Sequence, residues 1–520
     1  MSVLSRRRSI LPLLAAASLL AGCSTYEDQT KAVANHFHAG EYALAAAAAK
    51  DGINDAPDRD KLVWKLEYAA AERAAGNWSV SNVAFEDAEA DLIKWDETPD
   101  LLLSNETAAT LVNLTYLPYR GTGYDRIMAA TYRALNEIAL GHIDRARVEL
   151  NRTMVRQDEV AKLAQKKVEA ARQEAAEASS SGEGVDVNKS ANDPATTSKL
   201  DALYGDLKTY RIYGDYVNPF SVWLHGVFRL ATAEGNADIE TAHKSLERLS
   251  RLTPGCKAAM ADYATSNKVR DGAKLPPTVW IVFETGMAPH KVEERIDIPL
   301  FIVSGTVPYA GIALPKLNFN GGSTPSLAIE SGGHLLATTE TVASMDAVVA
   351  TDFDNEKTVV ITRSIITAGL KVAAQYAANH AAEEYARRQG GAAGFGVYLG
   401  TMVATGVASY ATTAADLRTW RTLPKSFQIA RIDPPADGKL RLAGSSPAQA
   451  KEITLPPGSV FLVIAKATDA GTPLTVSVTT LRGVPSGVSN VSGATEYRGG
   501  PLPQKVEIIP AGGVAPQGAK

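Results

Sequence analysis

Cysteine is nearly absent from this 520-residue chain: Cys23 and Cys256 are the only two, so at most one disulfide is possible and stability must come from packing. Charge is equally uninformative. Lys and Arg number 53 against 57 Asp and Glu, a net charge of −4, and no run of five or six like charges occurs. Nucleic-acid binding wants a basic face, so that class has little support and no nucleic-acid partner is expected. The eight histidines include no His-Glu-x-x-His pair. No Gly-x-Ser-x-Gly elbow and no Gly-Lys-Ser/Thr phosphate loop exists, and Gly394-x-Gly396-x-x-x-Gly400 misses the dinucleotide spacing. The expectation is a protein without cofactor or metal, and not an enzyme. His380, Glu383 and Glu384 would share one helix face and offer metal ligands, although a solvated face explains them more simply.

What is present starts at the N-terminus. Arg6, Arg7 and Arg8 precede an uncharged Leu- and Ala-rich stretch from Ser9 to Gly22, ending in Leu20-Ala21-Gly22-Cys23. A cationic start, a short apolar core and small residues at the cut make an export signal too short to span a bilayer. With Cys at the cut, it resembles a bacterial lipoprotein signal. That resemblance implies removal of residues 1–22 and acylation of Cys23 with palmitate-type chains. It also implies a lipid-anchored outer-membrane protein facing the periplasm, because Ser24 follows the cysteine. The other reading is an ordinary signal peptide with a chance Cys. With Cys23 acylated, Cys256 has no partner; beside Pro254-Gly255 it reads as a packing residue at a helix end rather than a reactive thiol.

At 520 residues the chain is too long for one core. Residues 23–270 read as helical and carry a weak repeat of Gly followed five residues later by a small residue. The pairs are Gly40 with Ala45, Gly76 with Ser81, Gly141 with Ala146 and, stretched by two, Gly235 with Ala242. Each Gly suits a turn inside a helical hairpin, and each small residue lets two helices approach. The pattern is similar to the tetratricopeptide repeat. A charged helix runs from Asp144 to about Ala178, and the polar stretch 179–198 reads as a mobile loop.

From residue 271 to 482 strand signals dominate, which predicts a mixed α+β domain. Thr278 to Phe283 is the strongest strand; Ser426 to Ile432, Lys439 to Leu442, Ser459 to Ala465 and Leu474 to Leu481 follow. Thr358 to Ile361 reads as a strand entering a helix whose apolar face is Ile366, Leu370, Ala373, Ala377, Ala381 and Tyr385. Gln389 to Ala415 is free of charge, long enough for a membrane span but diluted by Thr and Ser, and reads as a buried helix of small residues. Residues 483–520 read as a flexible tail.

Four stretches together resemble an uncharacterised bacterial lipoprotein family with a tetratricopeptide-like N-terminal half. They are Gly123-Tyr124-Asp125-Arg126 with the hairpin that follows, Tyr213 to Phe220, Glu284-x-Gly286 with Ile298-Pro299-Leu300, and Ala415 to Trp420 with Leu423-Pro424. The resemblance implies architecture and location and no activity. Tyrosines cluster around residues 116–132 and 204–216, where they suit either a core or a ligand groove. If a groove exists, Tyr119, Arg120 and Tyr124 are its candidate partner-binding residues. The expected fold class is α+β, with N-terminal tetratricopeptide-like repeats and a second mixed domain. The expected function is an envelope-assembly scaffold that binds protein partners on a concave helical face. The alternatives are a glycan- or small-molecule-binding lipoprotein using the α+β domain, or a self-associating envelope component.

Overall fold

The computed structural model describes residues 26–97, 114–180, 184–302, 308–389, 401, 414–483 and 495–497. The signal segment with Cys23, nearly all of the uncharged run 389–415 and nearly all of the tail 483–520 lie outside them. The fold is mixed, with helices first and sheets in the second half.

The first half begins with α1 (Tyr26–His38), α2 (Tyr42–Asp55), α3 (Lys61–Ala74) and α4 (Trp78–Glu97). Then come α5 (Gly123–Ala139), α6 (Ile143–Ser180), the short α7 (Val187–Ala191) and α8 (Pro194–Tyr204). It ends with α9 (Pro219–Ala231), α10 (Asn236–Leu252) and α11 (Lys257–Arg270). Neighbours in sequence pack as pairs, α1 on α2, α3 on α4, α5 on α6 and α9 on α10. Gly40, Gly76 and Gly141 turn three of these pairs with φ of +78°, +82° and +79°, a region that L side chains avoid. Gly235 differs, being extended. The small residues expected at the pair crossings, Ala45, Ser81, Ala146 and Ala242, are all 0% exposed. Gly226 on α9 shows the tolerance of one crossing: a Cβ there would lie 2.7 Å from Leu246 of α10.

Among the described residues, twelve strands follow. The first six are β1 (Thr278–Thr285), β2 (His290–Pro299), β3 (Tyr309–Asn318), β4 (Ala328–Ser331), β5 (His334–Thr338) and β6 (Glu340–Ser344). After the helix α12 (Met345–Gln389) come β7 (Ser426–Ile432), β8 (Lys439–Ala443), β9 (Ala450–Thr454), β10 (Val460–Ala467), β11 (Thr475–Arg482) and β12 (Thr495–Tyr497). The main sheet has the order β12-β11-β10-β1-β7-β6, with β1 parallel to β10 and antiparallel to β7. β2 and β3 form a separate ribbon, and β5-β4-β8-β9 a smaller sheet.

Every residue of β1 is buried, and its alternation explains the architecture. Val279, Ile281 and Phe283 join Ile329, Leu440 and Leu442 of the small sheet in one cluster. Trp280 and Val282 point the other way, into a cluster shared with the helices. The main sheet is therefore covered on both faces. The break at residue 271 separates helix from strand but not one core from another, because the larger cluster runs from Val33 to Leu481.

Two expected segments fold differently. Residues 187–204, mostly inside the expected mobile loop, form α7 and α8. The Asp186 carboxylate accepts from Lys189 N at 2.9 Å and that of Asp193 from Ala195 N at 2.9 Å, each capping a helix start, and Val185 bridges Ile302. Thr358 to Ile361 is not a strand but lies inside the 45-residue α12. There packing on α6 overrides β-propensity, with ion pairs Lys167–Glu356 at 2.7 Å and Arg363–Glu174 at 2.9 Å along the seam. On the face predicted to be apolar, Ile366 is buried, yet Leu370 and Tyr385 are exposed, at 40% and 49%. Among the described residues, no helix is long and apolar enough to cross a membrane.

Candidate functional site

The residues chosen from sequence face inward. Thr122 and Asp125 form a reciprocal cap on α5, with Thr122 N donating to the Asp125 carboxylate at 2.8 Å. The Tyr119 hydroxyl donates to the same carboxylate at 2.5 Å, and its backbone N–H to Arg59 O at 2.8 Å. Arg120 donates to Trp95 O at 2.7 Å. Tyr119 and Tyr124 are each only 4% exposed. The expected groove residues are thus parts of a packed turn, and Tyr119 and Tyr124 are closed to a partner. The other expected positions are also accounted for without a ligand. Glu383 and Glu384 pair with Arg387 and Arg388 along α12. Cys256 is buried, and burial pushes its thiol up to about 11, so the thiolate that would react is scarce.

What the quoted motifs do is meet. Tyr124, the Tyr213–Val217 loop and Asp352 on α12 surround a cavity of about 10 Å³, close to the size of one water, and Gly123 packs beside it. A Cβ on Gly123 would stand 2.7 Å from the Asp352 carboxylate and 3.0 Å from the Tyr216 ring, so only glycine fits. Tyr216 takes φ +57°, a strained region for an aromatic residue, in order to reach this point. Tyr124 N donates to Asp352 at 3.3 Å. Burial first, and then the neighbouring Glu356, raises the Asp352 carboxyl to about 8, although Lys167 opposes it. Its second oxygen and the Thr351 hydroxyl are buried without a partner.

The second concentration of chemistry lies where helices meet the main sheet. Glu284 of β1 is 0% exposed and receives Arg73 of α3 as a two-pronged pair, at 3.2 and 2.7 Å. Lys466 of β10 donates to it at 3.1 Å and the Tyr132 hydroxyl of α5 at 3.4 Å. Burial alone would raise the Glu284 carboxyl; Arg73 and Lys466 hold it below its ordinary value. Glu67 of α3 receives the Thr422 hydroxyl at 2.6 Å and the backbone N–H groups of Arg421 and Thr422, and burial lifts it to about 7. Asp262 of α11 receives the indoles of Trp223 at 2.9 Å and Trp280 at 2.8 Å, and burial lifts it to about 6. Phe220 of α9 stacks on Phe427 of β7 with centroids 4.0 Å apart.

These contacts spend the inner face of the helices on the protein's own sheet. All 17 residues of α5 are buried, and nearly all of α9. Sequence reasoning missed the seam because its members, Arg73, Glu284 and Lys466, are far apart in the chain; only Glu284 stood in a noted stretch. The arrangement joins elements and orients side chains. Exposed apolar residues include Val80, Val83 and Ile93 of α4, at 44%, 66% and 48%. Compared with known protein families, curated proteins and solved structures, the chain has no match.

Proposed function

We propose that this protein is a non-catalytic, lipid-anchored envelope lipoprotein that acts as a protein-interaction scaffold. In this reading its helical pairs are tetratricopeptide-like and it belongs to the uncharacterised lipoprotein family that its motifs resemble. The concave helical face expected from the repeats is taken up by the sheet, so partners dock on the outer helices. One observation carries this. Val80, Val83 and Ile93 stand exposed along the 20-residue α4, with the charged and exposed Glu86 and Asp87 between them. Apolar residues rimmed by charge suit a protein-binding surface.

In-cell crosslinking of the lipidated protein, read by mass spectrometry, tests the proposal. The expected result is a dominant envelope partner that is lost in Cys23→Ala and in the double variant Val83→Glu with Ile93→Glu. An unchanged crosslink pattern in the α4 variant, with the melting temperature preserved, would remove this surface from the proposal. Absence of any partner from the wild-type protein would overturn the scaffold itself.

A further inference from the structure

Beside the Glu284 cluster, a cavity of about 50 Å³ lies between the α3–α4 turn, α5 and the face of β10 and β11. Its sheet wall is a block of cross-strand pairs: Lys466 stands opposite Thr475, and Ile464 opposite Ser477. Its helix wall comprises Arg73, Trp78 and Leu135, with two alanines. Roughly 50 Å³ holds several waters or one compact ion, since a single water needs about 10–15 Å³.

The charges at this cavity do not balance. Arg73 and Lys466, with side chains 7% and 8% exposed, share the single carboxylate Glu284. Two cations against one anion leave a buried positive excess, which an incoming anion would offset. Arg73 is tied by its fork to Glu284 and lies over the Tyr132 ring at 4.2 Å. Lys466 gives one hydrogen bond to Glu284 and sits 4.9 Å from the Phe37 ring, so an ammonium with three donors retains capacity where it lines the cavity. The Ser477 hydroxyl adds a donor at the rim, that of Thr475 being donated to Lys466 O at 3.4 Å, and Trp78, Leu135 and Ile464 supply apolar walls.

We propose that this cavity binds a compact oxyanion, a carboxylate or phosphate group, with Lys466 and Arg73 as its charge partners and Ser477 at its edge. The site is independent of the outer α4 surface, and either can fail without the other. Calorimetric titration of the whole mature protein with inorganic phosphate and, separately, with butyrate tests it and separates the two oxyanions. Saturable binding of one of them is expected, weakened at least tenfold in Lys466→Gln, which keeps the Arg73–Glu284 pair. Ser477→Leu, which fills the cavity without touching a charge, is expected to abolish binding and serves as the second test should Lys466→Gln not fold. No saturable binding of either anion overturns the site, as does wild-type affinity in a folded Lys466→Gln or Ser477→Leu variant.

Discussion

Single buried carboxylates give this protein opposite responses to pH. Glu284 is held low by two cations, so its contribution is present above the ordinary Glu value and is lost as pH falls through its lowered one. Glu284→Gln leaves Arg73 and Lys466 without their carboxylate. Removing one partner of a buried pair typically costs about 3–5 kcal/mol, and urea unfolding at pH 7 should register a loss of that order. Asp352 runs the other way. Below about pH 4 both folded and unfolded chains hold its proton. Between there and about 8 only the folded chain does, so stability from this group falls through that window. Asp352→Asn does not titrate. Its melting temperature relative to wild type should therefore rise between pH 5 and pH 8.5, and an equal difference at both would mean that Asp352 is already ionised at pH 5. Neither shift was legible in the sequence: the cations that hold Glu284 low, Arg73 and Lys466, lie more than 100 residues away, and the burial that raises Asp352 is set by tertiary packing.

Elements were legible where local chemistry decides them. β7 runs from Ser426 to Ile432 as its β-branched and aromatic pattern predicts, and three helix turns carry their expected glycines in the left-handed region. Reading failed where tertiary packing decides. α12 absorbs Thr358–Ile361 because α6 lies along it, and β3 passes through Pro315 where, among the described residues, it pairs with β2 alone. α7 and α8 were hidden by polar composition although Asp186 and Asp193-Pro194 are ordinary start signals. Several elements converge at Gly123, where α5 begins against α6 and α12. Gly123→Ala places a Cβ 2.5 Å from Val160 and 2.7 Å from Asp352. The expected cost is about 1–3 kcal/mol, the range for overpacking, measured as a shift in the urea midpoint. Gly235→Ala meets nothing within 4 Å at an extended φ and should stay near wild type, which makes it the control.

At the scale of the molecule, the change from helix to strand near residue 271 invites division into two domains, but the side chains do not divide there. Tyr132 and Phe220 come from helices, Trp420 and Phe427 from beyond α12, and their rings touch in a continuous series. Arg73–Glu284, Glu67–Thr422 and Trp223–Asp262–Trp280 cross or brace the same seam. Separating the halves would expose the fully buried α5 and leave several of these charges unpaired in an apolar surface. The seam is therefore as much a folding core as either half, and calorimetry of the described fold should give one unfolding transition rather than two. Phe427→Ala, which removes a 0%-exposed ring from the centre of the series, distinguishes the cases. Loss of a buried Phe costs roughly 3–5 kcal/mol, and if the halves share one core the whole transition moves down together. Were they separate domains meeting at an interface, the variant would instead split the trace, one half melting early and the other at its original temperature.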